Sequence, residues 1–222
     1  MTYLGKEKLP LPNPVTSALR TVTSPISGRA RTKDALGVLG SFAAENLSDL
    51  DAGPAVVIGT ALDFDDFCTP ILRALKSKQA PEPVTCHCVW PTFVSGPDGR
   101  PEAIFTKEYR QKAARNSQIL ICTAVATERG LVDALVDRAK DLHASSSITL
   151  ISAIMSVEVA ELFQQSPSAG RALVYLPAAG RGYAENTYGV LNRALSNDRT
   201  SFDYVPKAIL EKTMKQASTF GI

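Results

Sequence analysis

The chain has 222 residues, 45% of them hydrophobic and 21% charged, with a mean hydropathy of about zero and a net charge of +2. That length suits one domain, with or without an arm, and that much apolar surface excludes wholesale disorder as well as collagen-like and coiled-coil architectures. No apolar run reaches the ~18 residues of a membrane span and no apolar signal core follows the first lysines, so neither a membrane protein nor export by that route is expected.

Residues 1–33 carry six Lys/Arg against one acid, Glu7, which makes this stretch +5 and the remainder −3. Pro10, Pro12 and Pro14, with Thr16, Ser17, Thr21, Thr23, Ser24 and Pro25, give it the composition of an extended basic arm. Residues 1–33 are therefore expected as an arm and 34–222 as one α/β domain. Such an arm offers charge to nucleic acid, to an acidic partner or to its own body, and it is the one place where nucleic-acid binding is expected. An arm without its own core is ordered when it docks, which points to a homodimer or larger assembly. Its basic, hydroxylated composition also resembles an organelle transit segment, so the expected location is the cytoplasm or, alternatively, a mitochondrial or other organelle matrix.

Asp34 is placed to cap a helix with Leu36, Leu39, Phe42, Ala43 and Leu47 at helical spacing, ending near Asn46. Ala55-Val-Val-Ile-Gly59 reads as a strand covered on both faces. A helix follows with Asp63, Asp65 and Asp66 in its first turn and Phe67, Ile71, Leu72 and Leu75 inward, and Pro70 marks where it becomes regular. Val84–Trp90 is a second strand, and Ser95-Gly-Pro-Asp-Gly99 before Ile104-Phe105 signals a hairpin-like excursion.

Gln118–Thr123, a helix over Leu131–Leu142 with Val132, Leu135, Val136 and Ala139 inward, and Ile148–Ile154 form a βαβ unit. A helix at Val157–Gln165 and a strand at Ala172–Pro177 repeat it, and Val205–Gln216, opened by Asp203 and Pro206, reads as a final helix. The expected architecture is a doubly wound, mostly parallel sheet. Ligands then belong at the carboxyl ends of the strands, in the loops Gly59–Asp66, Ala124–Gly130 and Ala178–Gly189.

The four cysteines, Cys68, Cys86, Cys88 and Cys122, sit in or beside apolar stretches and are expected reduced and buried. In Cys86-His87-Cys88, a strand turns the cysteines to one face and the histidine to the other, so the triplet does not chelate as a unit and no metal site is assigned. His143 suits the carbonyl end of a helix. Two histidines and no G-x-S-x-G elbow give hydrolysis little to stand on. Neither three glycines after the first strand nor a P-loop is present.

The run Gln118–Gly130 with its helix, the strand Ile148–Ile154, the Ser156-Val-Glu158 turn, Leu173-Val-Tyr175 and Gly182-Tyr183 resemble the carboxyl half of type I phosphoribosyltransferases, closest to the uracil phosphoribosyltransferases. Ile58–Asp63 and Val84–Trp90 lie on the same pattern, so the resemblance covers roughly residues 35–200. It implies a 5′-phosphate cup at Ala126, Thr127, Glu128, Arg129 and Gly130, base recognition by Gly182, Tyr183 and Asp198, phosphoribosyl pyrophosphate or a nucleotide as ligand, and Mg²⁺ if the protein is catalytic. Several positions depart from that pattern. Cys122 stands where the ribose-binding acid is expected, Glu128 and Arg129 where glycines are, Gly130 where a hydroxyl residue is, and Thr92 where a basic pyrophosphate contact is. The missing carboxylate has to come from Asp63, Asp65 or Asp66 across the neighbouring loop, and Arg100, Lys107 and Arg110 lie on the segment that becomes a flap in the family. Two functions follow from the residues: a fold-bearing binding, regulatory or structural subunit with a decayed pocket, or an active transferase joining a pyrimidine-like base to phosphoribosyl pyrophosphate.

Overall fold

The structure is a computed structural model that describes residues 11–47, 53–78, 84–114, 116–142, 148–165, 169–176, 187–199 and 204–210. Two helices come first, α1 (Asn13–Thr23) and α2 (Arg29–Glu45). Pro14 lies in the first turn of α1, where its missing N–H costs nothing. Val15, Ala18, Leu19 and Val22 fall at i, i+3, i+4 and i+7 and are buried against the core.

The described part of the 1–33 stretch is therefore a docked helix and the first residues of a second, not an extended arm. Burial of this apolar stripe outweighs the turn-forming composition around it. Since α1 packs on α2 of its own chain, it gives no argument for a second copy. Helix α2 starts at Arg29 behind Gly28, so Asp34 lies inside it rather than capping it. Asn46 ends it as expected, and Phe42 is half-buried where the spacing put it inward.

Strand β1 (Ala55–Thr60) is buried at every residue. The chain then makes a π-helical turn, Phe64–Cys68, before the regular helix α3 (Thr69–Lys78), whose second residue is Pro70. The close approach of α2 to this turn is why position 40 is glycine, because a Cβ there would run into the carbonyl oxygen of Phe67. Strand β2 (Val84–Ser95) runs five residues beyond the sequence expectation and pairs antiparallel with β3 (Pro101–Arg110), so the excursion is a long hairpin. Then follow β4 (Gln118–Cys122), β5 (Val125–Ala126), α4 (Arg129–Leu142), β6 (Ile148–Met155), α5 (Val157–Gln165), β7 (Ala169–Leu176) and α6 (Thr187–Arg199). Helix α4 buries Leu131 along with Val132, Leu135 and Ala139, while Val136 is half-buried. Lys207–Leu210 opens a helix after Pro206; the rest of the expected final helix and Asp203 lie outside the described residues, as does His143.

The sheet has the order β3-β2-β1-β4-β6, with β7 also on β6, and all pairings except β2 with β3 are parallel. The fold is α/β with a mostly parallel, doubly wound sheet. Growth runs outward from β1 to β2 through α3, and in the opposite direction from β4 to β6 and β7 through α4 and α5. Right-handed crossovers then put α3 and α4 on opposite faces, and α3 packs on α2 while α4 packs on α5. The direction reverses between β1 and β4, so the ligand crevice of such a sheet lies at the carboxyl ends of those two strands.

Candidate functional site

Strand β5 pairs with β6 in the register that β4 already follows: Cys122 faces Ile151 and Val125 faces Ile154. The two are one strand line broken at Thr123-Ala124. On the β6 side the break is still tied, because Thr123 N–H donates to Ile151 O and the amides of Ala153 and Ile154 donate to Ala124 O. On the other side β1 has ended, and the Ala124 N–H donates instead to Asp63 Oδ2 at 2.6 Å. Thr123 Oγ1 donates to the same oxygen at 3.1 Å and Thr60 Oγ1 to Asp63 Oδ1 at 2.8 Å.

Asp63 is 1% exposed, and its backbone carbonyl accepts from Phe67 N–H at the start of the π-helical turn. Burial pushes its carboxyl above the ordinary value, against the lowering pull of these three donors. Asp63 does reach across to the β4 loop, but its oxygens are engaged there and it does not line the cavity at residues 127–130.

Past β5 the chain passes Thr127 and Glu128 into α4. Glu128 O accepts the amides of Leu131 and Val132, so Glu128 is the residue that opens the helix. Beside it is a cavity of about 460 Å³ between this helix start and the hairpin turn, lined by Thr127, Glu128, Arg129 and Gly130 on one side and Asp98, Arg100 and Glu102 on the other. Asp133 and Glu158 complete its charge, so five carboxylates face two guanidiniums. Both guanidiniums are already taken, Arg129 by Asp133 at 3.3 Å and Glu158 at 3.7 Å, and Arg100 by Asp98 at 3.5 Å. Burial raises the Glu128 carboxyl. Position 130 is pressed by the hairpin, since a Cβ there would meet the carbonyl oxygen of Pro101. Thr127 Oγ1 is buried without a hydrogen-bond partner.

The expected site residues therefore separate. Ala126, Thr127, Glu128, Arg129 and Gly130 are contiguous at the start of α4, Ala126 being fully buried in β5. Asp65 faces a second cavity, of about 590 Å³, with Asp34, Asp66, Arg29, Lys33, Arg73 and Lys207, and it accepts a hydrogen bond from Tyr204 Oη at 2.6 Å. Asp63 and Asp65 thus do not converge, and they do not fit a shared Mg²⁺. Among the described residues no group of three or more His, Cys, Asp or Glu comes together as a metal would need. Gly182 and Tyr183 lie outside the described residues; Asp198 is in α6.

The sequence reading missed Tyr188 and Phe93. Tyr188, 7% exposed on α6, packs edge-on to Phe93 of the hairpin with ring centroids 5.5 Å apart. Burial first, then the charges of Asp63 and Glu128, push its phenol up, and α6 lies against β5, just past the strand break. Its place in Asn186-Thr-Tyr-Gly189, at the end of the third rim loop, was the available signal.

All four cysteines are free and buried. Burial above all raises the thiols of Cys68, Cys88 and Cys122, which makes them poor nucleophiles.

No helix among the described residues is long and apolar enough to cross a membrane. No family model matches the chain, and no curated protein matches its sequence. Among solved structures, it is similar to the AQ2163 protein from Aquifex aeolicus, with a TM-score of 0.58 and 12% identity over 75% of this chain and 85% of that one. It is also similar to the hypoxanthine-guanine phosphoribosyl transferase of L. donovani, with a TM-score of 0.42 and 15% identity over 69% of this chain and 82% of that one, a likeness too slight to carry an argument. What the first comparison establishes is the fold that the two chains share, an α/β domain on a mostly parallel sheet.

Proposed function

We propose that the chain is a phosphoribosyltransferase-type protein whose phosphate cup has decayed, working as a non-catalytic nucleotide-binding, regulatory or structural subunit of an assembly. The observation that carries this reading is the charge of the cup: five carboxylates against two arginines already paired with three of them, Asp98, Asp133 and Glu158. A phosphate at a helix start gains from the N–H groups and the dipole there, typically less than about 1 kcal/mol at an exposed site. One carboxylate 4 Å from one phosphate charge costs about 1 kcal/mol in water and about 4 kcal/mol at the effective dielectric of a protein surface. Glu102 and Glu128, which have no ion pair among the described residues, outweigh the helix.

The hairpin resting on Gly130 further closes the backbone approach that the transferase reaction uses. Asp63 has spent its oxygens on the strand break and Asp65 lies in the second cavity, so neither supports a role at the ribose. That reaction depends on positioning and charge stabilisation, which this arrangement opposes.

One observation favours the active transferase, joining a pyrimidine-like base to phosphoribosyl pyrophosphate. Thr127 Oγ1 is buried with no partner, at the position where the resemblance expects a phosphate contact.

A thermal shift with millimolar phosphoribosyl pyrophosphate and with pyrimidine 5′-nucleotides separates the readings. The decayed cup gives no shift with phosphoribosyl pyrophosphate, whereas a ligand at 100 times its Kd stabilises by about 2.7 kcal/mol. A clear shift that Thr127→Ala abolishes would establish the active reading instead. Light scattering on the same sample reads the assembly: a homodimer or larger complex has at least twice the 23.8 kDa of one chain, and a monomer removes that part of the proposal.

A further inference from the structure

At the reversal point of the sheet, where the crevice between β1 and β4 would admit a ligand, this chain places a buried side chain of its own. The Asp63 carboxylate takes the Ala124 amide, the Thr123 hydroxyl and the Thr60 hydroxyl, all neutral donors. Had β1 continued alongside β4, a β1 carbonyl would have taken that amide, and the strand would have run straight on. Instead, among the described residues, every hydrogen bond that reaches Thr123-Ala124 from the β1 side ends on Asp63, while the β6 side holds its partner without change of register.

We propose that Asp63 is the positioning residue of the cup: its carboxylate stands in for the absent β1 backbone at Ala124, and through that break it sets where the amides of residues 126–130 stand. Only Val125 separates Ala124 from Ala126, and the next residues open α4, so a turn at the break moves the helix start with it. The proposal rests on the reading of residues 126–130 as a phosphate cup only for its functional consequence, since the tie itself is independent of any ligand. It also accounts for an acid that pairs with no cation among the described residues: an amide oxygen in the same position accepts on one side only, whereas a carboxylate accepts from β1 and from the β4 loop at once.

The groups that face it are the thiols of Cys68, Cys88 and Cys122 and the phenol of Tyr188, all neutral around pH 7 and all raised by burial first and by the charge of Asp63 as well.

Amide hydrogen exchange on the full chain without ligand, with wild type and variant compared at one pH, tests the tie. In Asp63→Asn the amides of residues 124–130 should exchange at least about tenfold faster, while Ile119–Ile121 of β4 and Ile148–Leu150 of β6 keep their protection. Unchanged exchange at 124–130, or equal loss across the whole sheet, overturns the proposal. If Asp63→Asn does not fold, Thr123→Val decides, because it removes one donor and leaves the acid: local loosening supports the tie and unchanged exchange rejects it. The readout needs no bound nucleotide, so it stands whether or not phosphoribosyl pyrophosphate binds.

Discussion

His87 is wholly buried in β2, with Nε2 3.1 Å from Glu108 Oε2 on the neighbouring β3 and Nδ1 without a partner. Arg138 of α4 lies 3.4 Å from the same Glu108 oxygen and over the Phe105 ring, so one carboxylate ties the edge strand β3 to its neighbour β2 and to the helix. Burial lowers the His87 pKa, with Glu108 pulling the other way. The fold therefore favours neutral imidazole, and its contribution is complete above the ordinary value near 6.5 and lost as pH falls through the lowered one. Asp63 has the opposite sign. Its raised pKa makes the folded state hold a proton that the unfolded chain releases, so stability declines as pH rises from the ordinary carboxylate range to the raised value. Urea midpoints measured between pH 4 and 7 should separate the two: His87→Gln removes the fall on acidification below 6.5, and Asp63→Asn removes the fall on raising pH from 4. An unaltered profile in either variant would discard that assignment. The alternation in Cys86-His87-Cys88 was legible, as was the burial of its cysteines. The partner Glu108 was not, because it is 21 residues away across a hairpin with a bulge between Trp90 and Pro91.

Among the elements, α1 was the misreading with the largest consequence. The stripe Val15, Ala18, Leu19, Val22 was present in the sequence, but prolines, hydroxyl residues and positive charge dominated the reading. Helical propensity is a weak guide when a four-residue apolar face finds a core to cover. Leu19→Ala should cost about 2–5 kcal/mol in a denaturant titration, and removing residues 1–33, which deletes α1 and the buried Thr32, should abolish the cooperative transition rather than trim an arm. A truncated chain that melts like the full one would show that α1 adds nothing. Continuous apolar strands such as β1 and β6 were easily read, because a strand buried on both faces has no polar positions to confuse. The π-helical turn had no signal beyond Pro70, which correctly marked the regular helix behind it.

At the scale of the molecule, the uneven charge resolves within the chain. Arg29 and Lys33 from the basic stretch line a cavity shared with Asp34, Asp65 and Asp66, and the acids of the hairpin and of α4 gather at the cup. Replacing Glu102 and Glu128 together with glutamine should raise affinity for inorganic phosphate by roughly fivefold per carboxylate, given ~1 kcal/mol for each like charge at 4 Å in water, and high salt should shrink the gain. Equal phosphate affinity in calorimetry would mean that the carboxylates do not govern the cup. The sequence by itself determined the α/β class, the βαβ order and the segment that opens α4, because apolar periodicity and glycine-proline punctuation are local records of burial and turning. Only the tertiary structure decided that the hairpin presses on Gly130, that Asp63 is spent on a strand break and that Asp65 faces another cavity. Those facts depend on which residues distant in the chain meet where strand order reverses, and no local spacing encodes that.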